Sequence, residues 1–258
     1  MDYADQLTTC YCTSFSPDAG VIVAGSTKLL HVFDSSQPGR PMAVLPLSTS
    51  KRSRDGQKGP VSALSFRQDD SRLLAAGSFA GTIGLYDLRM PEDIARVLLL
   101  TGHTEGITQV TFSPDGWSLI SAARKEDALT RWDLRSGSPA LHYGPRKSVT
   151  SQRLYFTIDS QRETLLSGDH DGNLLEFDLS GSDVDDAVVR EPIAATSIAN
   201  EAVSSVAVSP HHPNLIAATT GQRHFAEMSG SDDEDNSPPG PSCNVQASSL
   251  ILFDRGHS

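Results

Sequence analysis

The chain has 258 residues, a formal net charge of −11, 20 glycines, 15 prolines and only 3 cysteines. That length suits one large core, and the glycine and proline content suits many short strands joined by tight turns. No apolar run approaches a membrane span and no basic-then-apolar leader opens the chain, which predicts a soluble intracellular protein with no membrane partner.

Residues 1–9 are polar and precede the first strand. An apolar strand at 13–15, a small-residue strand at 21–25 and a strand ending in Phe33-Asp34 then make the first unit of a recurring triplet. The triplet returns at 61–66, 73–77 and Tyr86-Asp87, and again at 107–112, 119–123 and Trp132-Asp133. It returns twice more, at 152–156, 165–168 and Phe177-Asp178, and at 203–208, 215–219 and Phe253-Asp254. Outer strands are predicted at 42–45 and 97–100. Turns such as Ser113-Pro114-Asp115-Gly116 supply the fixed φ and the permissive residue that a tight reversal needs.

The third unit opens with Gly102-His103 and closes with Trp132-Asp133, the dipeptides that bracket a propeller repeat of roughly 40–45 residues. One such unit cannot bury its own sheet faces, so the units must stack on one another. The expectation is an all-β WD-repeat β-propeller of about five blades. It reads as an incomplete ring, amino-terminally cut from seven, whose fifth blade lacks an outer strand. The whole of 1–258 forms this partial propeller, and 228–245, rich in acids, serines and prolines, is expected to be a disordered insertion in the last blade.

Polar clusters come next. His103, Ser121 and Trp132 read as the histidine, hydroxyl and indole of a buried structural network, with Asp127 as its bridging carboxylate and Asp171 as the equivalent in the fourth unit. A nucleophilic triad would use the same residue types, but the repeat context accounts for them without chemistry. No phosphate loop, metalloprotease helix or paired acid/base carboxylates appear, and Cys10, Cys12 and Cys243 are not spaced as a metal site. No enzyme, catalytic residue, cofactor, metal or small-molecule substrate is expected.

The total charge argues against nucleic acid, but acids gather at Asp183-Val184-Asp185-Asp186 and Asp232-Asp233-Glu234-Asp235. Arg124-Lys125 occupy a turn that most repeats fill with small or acidic residues. Arg146-Lys147, Arg153 and Gln222-Arg223 fall at loop positions opening on the same propeller face, with Tyr155 and Phe225 available for stacking. Either these residues form a phosphate-binding patch, or each pairs with a neighbouring acid on a solvated rim.

At these residues the chain resembles the telomerase Cajal body protein family of WD-repeat proteins. The likeness rests on Ser121-Ala122-Ala123-Arg124-Lys125, Gln152-Arg153-Leu154-Tyr155-Phe156 and Gly221-Gln222-Arg223 with Phe225 and the acidic run beyond. Pro38-Gly39-Arg40 and Gly77-Ser78-Phe79 agree, so it covers nearly the whole chain in order. It implies a seven-bladed, non-catalytic factor that binds small Cajal body RNA or telomerase RNA and directs the particle to Cajal bodies. The implied partners include box H/ACA ribonucleoprotein proteins, and the implied compartment is the nucleus, with the cytoplasm as a further one. Arg124, Lys125, Arg153, Tyr155, Gln222 and Arg223 would be the RNA-binding residues. The alternatives are a WD-repeat protein scaffold and a spliceosomal small nuclear ribonucleoprotein assembly factor.

Overall fold

A computed structural model describes residues 9–37, 39–48, 56–149, 151–180, 189–212, 214–222 and 248–255. Among them there is no helix, and every regular element is a strand. The first sheet is the meander β1 (Cys12–Phe15), β2 (Val21–Gly25), β3 (Leu29–Asp34) and β4 (Ala43–Pro46). The second is β5 (Val61–Arg67), β6 (Asp70–Ser78), β7 (Thr82–Asp87) and β8 (Arg96–Thr101). The third holds β9 (Ile107–Phe112), β10 (Ser118–Ala123), β11 (Leu129–Asp133) and β12 (Ser138–Tyr143).

Two-residue β16 (Val189–Arg190) pairs in parallel with β12 and makes the third sheet five-stranded, an addition the repeat pattern does not announce. The fourth sheet is β13 (Phe156–Asp159), β14 (Thr164–Gly168), β15 (Asn173–Asp178) and β17 (Ala194–Ser197). The fifth is β18 (Val203–Val208), β19 (Leu215–Thr220) and β20 (Ser249–Asp254), and it has three strands among the described residues.

These five sheets are blades, and the core lies in the layers between them. Val23, Leu30, Val32 and Leu45 of the first blade meet Val61, Phe66, Leu74 and Tyr86 of the second. Ile83, Leu85 and Leu100 meet Ile107, Val110, Phe112 and Trp132 of the third. Further layers join the third blade to the fourth through Ile120, Tyr143, Phe156 and Phe177, and the fourth to the fifth through Leu166, Val203 and Ile216.

The second strands are rich in small residues because the next blade stacks directly on them. A Cβ at Gly25 would lie 2.7 Å from Val61 Cβ, and one at Gly77 would lie 2.5 Å from Ile107 Cγ2. Spacings that short do not occur between real carbon atoms, so both positions exclude a side chain.

The fourth blade departs from the expected layout. Its inner strand is 156–159 rather than 152–156. Gln109 of β9 reaches across from the third blade instead. Its Oε1 accepts from Phe156 N at 2.9 Å, and its Nε2 donates to Phe156 O at 2.8 Å. One side-chain amide thus does locally what a strand neighbour would do. The inner strands beside it leave an axial cavity of ≈ 400 Å³ lined by Ser65, Gln109, Thr111, Thr157 and others.

Candidate nucleic-acid interface

Inner strands begin on one face of the arc, and the turns joining second to third strands pack against them there. Phe79 N bonds Pro60 O at 2.9 Å, Arg124 N bonds Gly106 O at 3.0 Å, His170 N bonds Lys147 O at 2.9 Å and Gly221 N bonds Ala202 O at 3.0 Å. The same contact recurring from blade to blade puts the second-to-third-strand turns on a common surface, here called the loop face.

The buried network sits just inside that face in the third blade. His103 Nδ1 lies 2.5 Å from Glu126 Oε2 and its Nε2 lies 2.7 Å from Ser121 Oγ. Trp132 Nε1 donates to Ser121 Oγ at 2.7 Å. The bridging carboxylate is therefore Glu126, not Asp127. Glu126 is long enough to turn back and also accept from Thr104 N at 2.9 Å and Thr104 Oγ1 at 3.1 Å.

Asp127 faces the fourth blade instead. Its Oδ1 accepts from Ser148 N at 2.9 Å and its carbonyl from Arg146 N at 2.7 Å. Asp171 does not fill the equivalent place in the fourth blade either. It pairs with Lys147 Nζ at 2.8 Å, while Asp169 organises the turn through Asp171 N and Asn173 N. Phe177 has no N–H to relay to a hydroxyl, so that blade has no use for such a network. In the second blade the corresponding tyrosine, Tyr86, donates to Gln57 Oε1 at 2.9 Å, and Gln57 Nε2 donates to Ala76 O at 2.6 Å.

Burial pushes the Glu126 carboxyl up, but the His103 hydrogen bond and the Thr104 and Glu105 N–H groups outweigh it and hold the group below its ordinary value. An ionised Glu126 can only accept, so Nδ1 is the donor in the His103–Glu126 bond. Ser121 is fully buried, with its oxygen engaged on both sides, so the network presents no nucleophile to solvent.

The basic residues divide by position. On the face opposite the loop face, Arg67 pairs with Asp69 at 2.6 Å, Arg89 with Asp87 at 2.8 Å and Arg135 with Asp133 at 2.9 Å. On the loop face, Arg124, Lys125 and Arg153 have no ion-pair partner among the described residues. Arg124 lays its guanidinium over the Phe79 ring, 4.8 Å from the centroid. Phe79 escapes a search for charged motifs; its signals are an aromatic in a turn that otherwise holds small residues and its place in the Gly77-Ser78-Phe79 run. Lys125 is exposed and takes φ +55°, which turns its backbone outward. Arg153 Nη1 donates to Tyr155 Oη at 3.3 Å, and Tyr155 is 37% exposed.

Cys12 on the first blade feels the Arg153 charge. Its thiol is pushed up to about 12 by burial and by Cys10, with Arg153 pulling the other way. Gln152 Nε2 donates to Gly221 O at 2.8 Å and ties the fourth blade's entry to the fifth, while Gln222 N donates to Glu201 Oε2 at 3.0 Å within the fifth. Lys147 is paired and Arg146 is 1% exposed, so neither belongs to the open patch. Arg223, Phe225, both acidic clusters and the 228–245 segment lie outside the described residues.

Of the described cavities, one of ≈ 480 Å³ lies away from this patch, on the opposite face, among Ser113, Asp115, Arg131, Glu163 and Leu179. No group of His, Cys, Asp and Glu suited to a metal occurs among the described residues, and no described helix is long and apolar enough to cross a membrane.

A family model for the WD domain, G-beta repeat, matches residues 48–87 and 95–123. The fold resembles a solved chain titled "Crystal Structure of Mitotic Checkpoint Complex", with a TM-score of 0.66 at 19% identity, covering 84% of this chain and 59% of that one. Stacked four-stranded blades, a buried histidine–hydroxyl–indole network and these matches define a WD-repeat β-propeller protein.

Narrower relatives follow. Telomerase Cajal body protein 1 of Mus musculus is 36% identical over 233 residues, 90% of this chain and 42% of that protein. That of Homo sapiens is 35% identical over 234 residues, 90% of this chain and 41% of that protein. The Drosophila melanogaster homolog is 29% identical over 235 residues. Over 90% of its length the chain is similar to the telomerase Cajal body proteins, and it spans about two-fifths of the length of these relatives.

Proposed function

We propose that this chain is a non-catalytic RNA-binding WD-repeat factor whose loop face holds a single-stranded element of small Cajal body RNA or telomerase RNA. In this reading the protein directs the ribonucleoprotein to Cajal bodies in the nucleus, alongside box H/ACA proteins. One observation supports it above the rest: Arg124, Lys125 and Arg153 lie on one face with no acid paired to them among the described residues, while Arg67, Arg89 and Arg135 of the opposite face each meet an acid. Phe79 beneath Arg124 and Tyr155 beside Arg153 add aromatic surface next to the charge, the pairing that stacked bases and phosphates use together. Lys125 and Arg124 supply phosphate contacts, Arg153 and Tyr155 a phosphate and a base, and Gln222 with Arg223 extends the track to the fifth blade. The names of the relatives agree with a nuclear, Cajal body role.

The test is filter binding of a loop-containing small Cajal body RNA and a loop-scrambled control across a salt series. Each phosphate contact contributes a log–log slope of about −0.7 on single strands. Arg124→Glu with Arg153→Glu should weaken binding and flatten the slope by about 1.4, which is two contacts at that value. Equal affinity for the two RNAs, or an unchanged slope, would remove this face as the reader and leave a protein scaffold.

A further inference from the structure

On the face opposite the loop face, the third and fourth blades part around the cavity of ≈ 480 Å³. One wall is the β9–β10 turn with Asp115, and the other is the β13–β14 turn with Ser160 and Glu163. Arg131 and Leu179 complete the lining. Arg131 is bound into the wall: its Nε donates to Ser118 Oγ at 3.0 Å and its Nη1 to Leu179 O at 3.4 Å. At the rim, Arg190 Nη1 donates to Ser180 O at 2.6 Å and lies in the field of Asp178.

The acids of the cavity are less engaged. Asp115 Oδ1 accepts from Ser113 Oγ and from Trp117 N, and the exposed Glu163 carboxylate takes no hydrogen bond or ion pair among the described residues. Burial pushes the Asp115 carboxyl up, but Ser113, the Trp117 N–H and the Arg131 charge outweigh it and hold the group below its ordinary value. Glu163 also sits at φ +52°, a left-handed conformation that glycine would take without strain.

A second feature stands on the same turn. Trp117 follows Asp115 by two residues, is 57% exposed, and carries the Arg67 guanidinium 5.8 Å from its ring centroid. Tryptophan and arginine beside a pocket are the side chains on which protein interfaces concentrate their affinity. We propose that the cavity and Trp117 form a protein-docking site, which takes an arginine or lysine side chain of a partner between Asp115 and Glu163 and an adjoining apolar residue on Trp117. Complementarity selects that occupant. Ionised carboxylates only accept, the arginine of the cavity is already bonded to the wall, and an incoming ammonium or guanidinium supplies donors and opposite charge. An acidic segment or a phosphate would bring further acceptors to open acceptors. The site shares no residue with the loop face, so RNA held there leaves it free, and the propeller then joins an RNA to a basic protein segment.

The experiment titrates the full chain with a short peptide in which one central arginine is flanked by leucines. Its control is the same peptide with citrulline in place of arginine, which keeps the shape and removes the charge. The chain has 2 tryptophans and Trp132 is buried, so a change in emission reports Trp117. The arginine peptide should give a saturable change and bind about fivefold tighter than the citrulline peptide, the upper end for an ion pair that water still reaches. Glu163→Gln should remove that preference. Asp34→Asn, which neutralises an acid of the first blade bonded only to Ser36, should leave it alone. Glu163→Gly relieves the left-handed residue, so it should raise the urea midpoint while removing the preference, a pairing that damage to the fold cannot produce. Trp117→Ala, read by calorimetry because the reporter is gone, should weaken both peptides about fivefold. Absence of a saturable change, or equal affinity for the two peptides, overturns the site. So does a preference that Asp34→Asn removes as fully as Glu163→Gln, because the effect then reduces to the general attraction of a chain of net charge −11. Each of these outcomes leaves the RNA reading of the loop face as it stands.

Discussion

The seam between the second and third blades and the seam between the third and fourth use the same repeat for opposite ends. The first is packed against hydrocarbon: Gly77 admits Ile107 at its surface, and Leu100, Val110, Phe112 and Trp132 complete the layer. In the second, Ala123 stands where Gly77 stood, the inner strand β13 starts late, and an amide from Gln109 bonds Phe156 at both N and O. A guanidinium with two empty nitrogens is buried beside it. Close packing makes a propeller stable, and the departure from it makes one blade pair available for something else. The polar seam lies on the face where cations also stand unpaired, which is why stability and candidate function separate along the blades.

That contrast can be broken from the packed side first. Gly77→Val places its Cβ 2.5 Å from Ile107 Cγ2 and should cost about 3 kcal/mol, read as a fall in the urea midpoint. Loss below about 1 kcal/mol would mean the first seam relaxes as readily as the second, and the contrast would be gone.

The polar seam should respond to Gln109→Leu with a smaller loss, about 2 kcal/mol, because Phe156 N and O then lack partners in a buried place. Hydrogen exchange at Phe156 should accelerate while exchange at Ile107 stays slow. Equal acceleration at both would place the two seams in one cooperative unit.

The smallest effect concerns the network that lies between them. Glu126 is held below the ordinary carboxyl value, so its contribution to stability is present above a pH of about 4.3 and disappears as pH falls through the lower folded value. His103→Ala should cost about 1 kcal/mol at neutral pH and flatten the acid side of the stability curve in that window, with RNA affinity unchanged. Lost RNA binding at unchanged stability would make His103 a functional residue.

Much of this was legible before any coordinates. Aromatic-Asp strand ends at Phe33, Tyr86, Trp132, Phe177 and Phe253 set five sheets in order, because strand alternation and turn chemistry are local. The His103–Ser121–Trp132 network was legible for the same reason: repeat position assigns it. Its carboxylate was misread as Asp127 because Glu126 and Asp127 are adjacent. Only side-chain reach and the competing Ser148 N–H decide which of them turns inward. The start of β13 was misplaced because the 152–156 run has strand composition, but the tie from Gln109 lies 47 residues away.

By itself, the order of residues determined the all-β class, the blade count and the small-residue second strands, all consequences of periodicity. Tertiary structure alone decided which charges are spent. Arg67 and Arg135 meet acids two residues distant; Arg124 meets a ring from the neighbouring blade; Arg146 is enclosed with its donors empty. All four are the same residue in the chain. Whether a charge is free depends on what lies within 4 Å of it in space, and beyond the nearest neighbours that distance is set by how the blades stack.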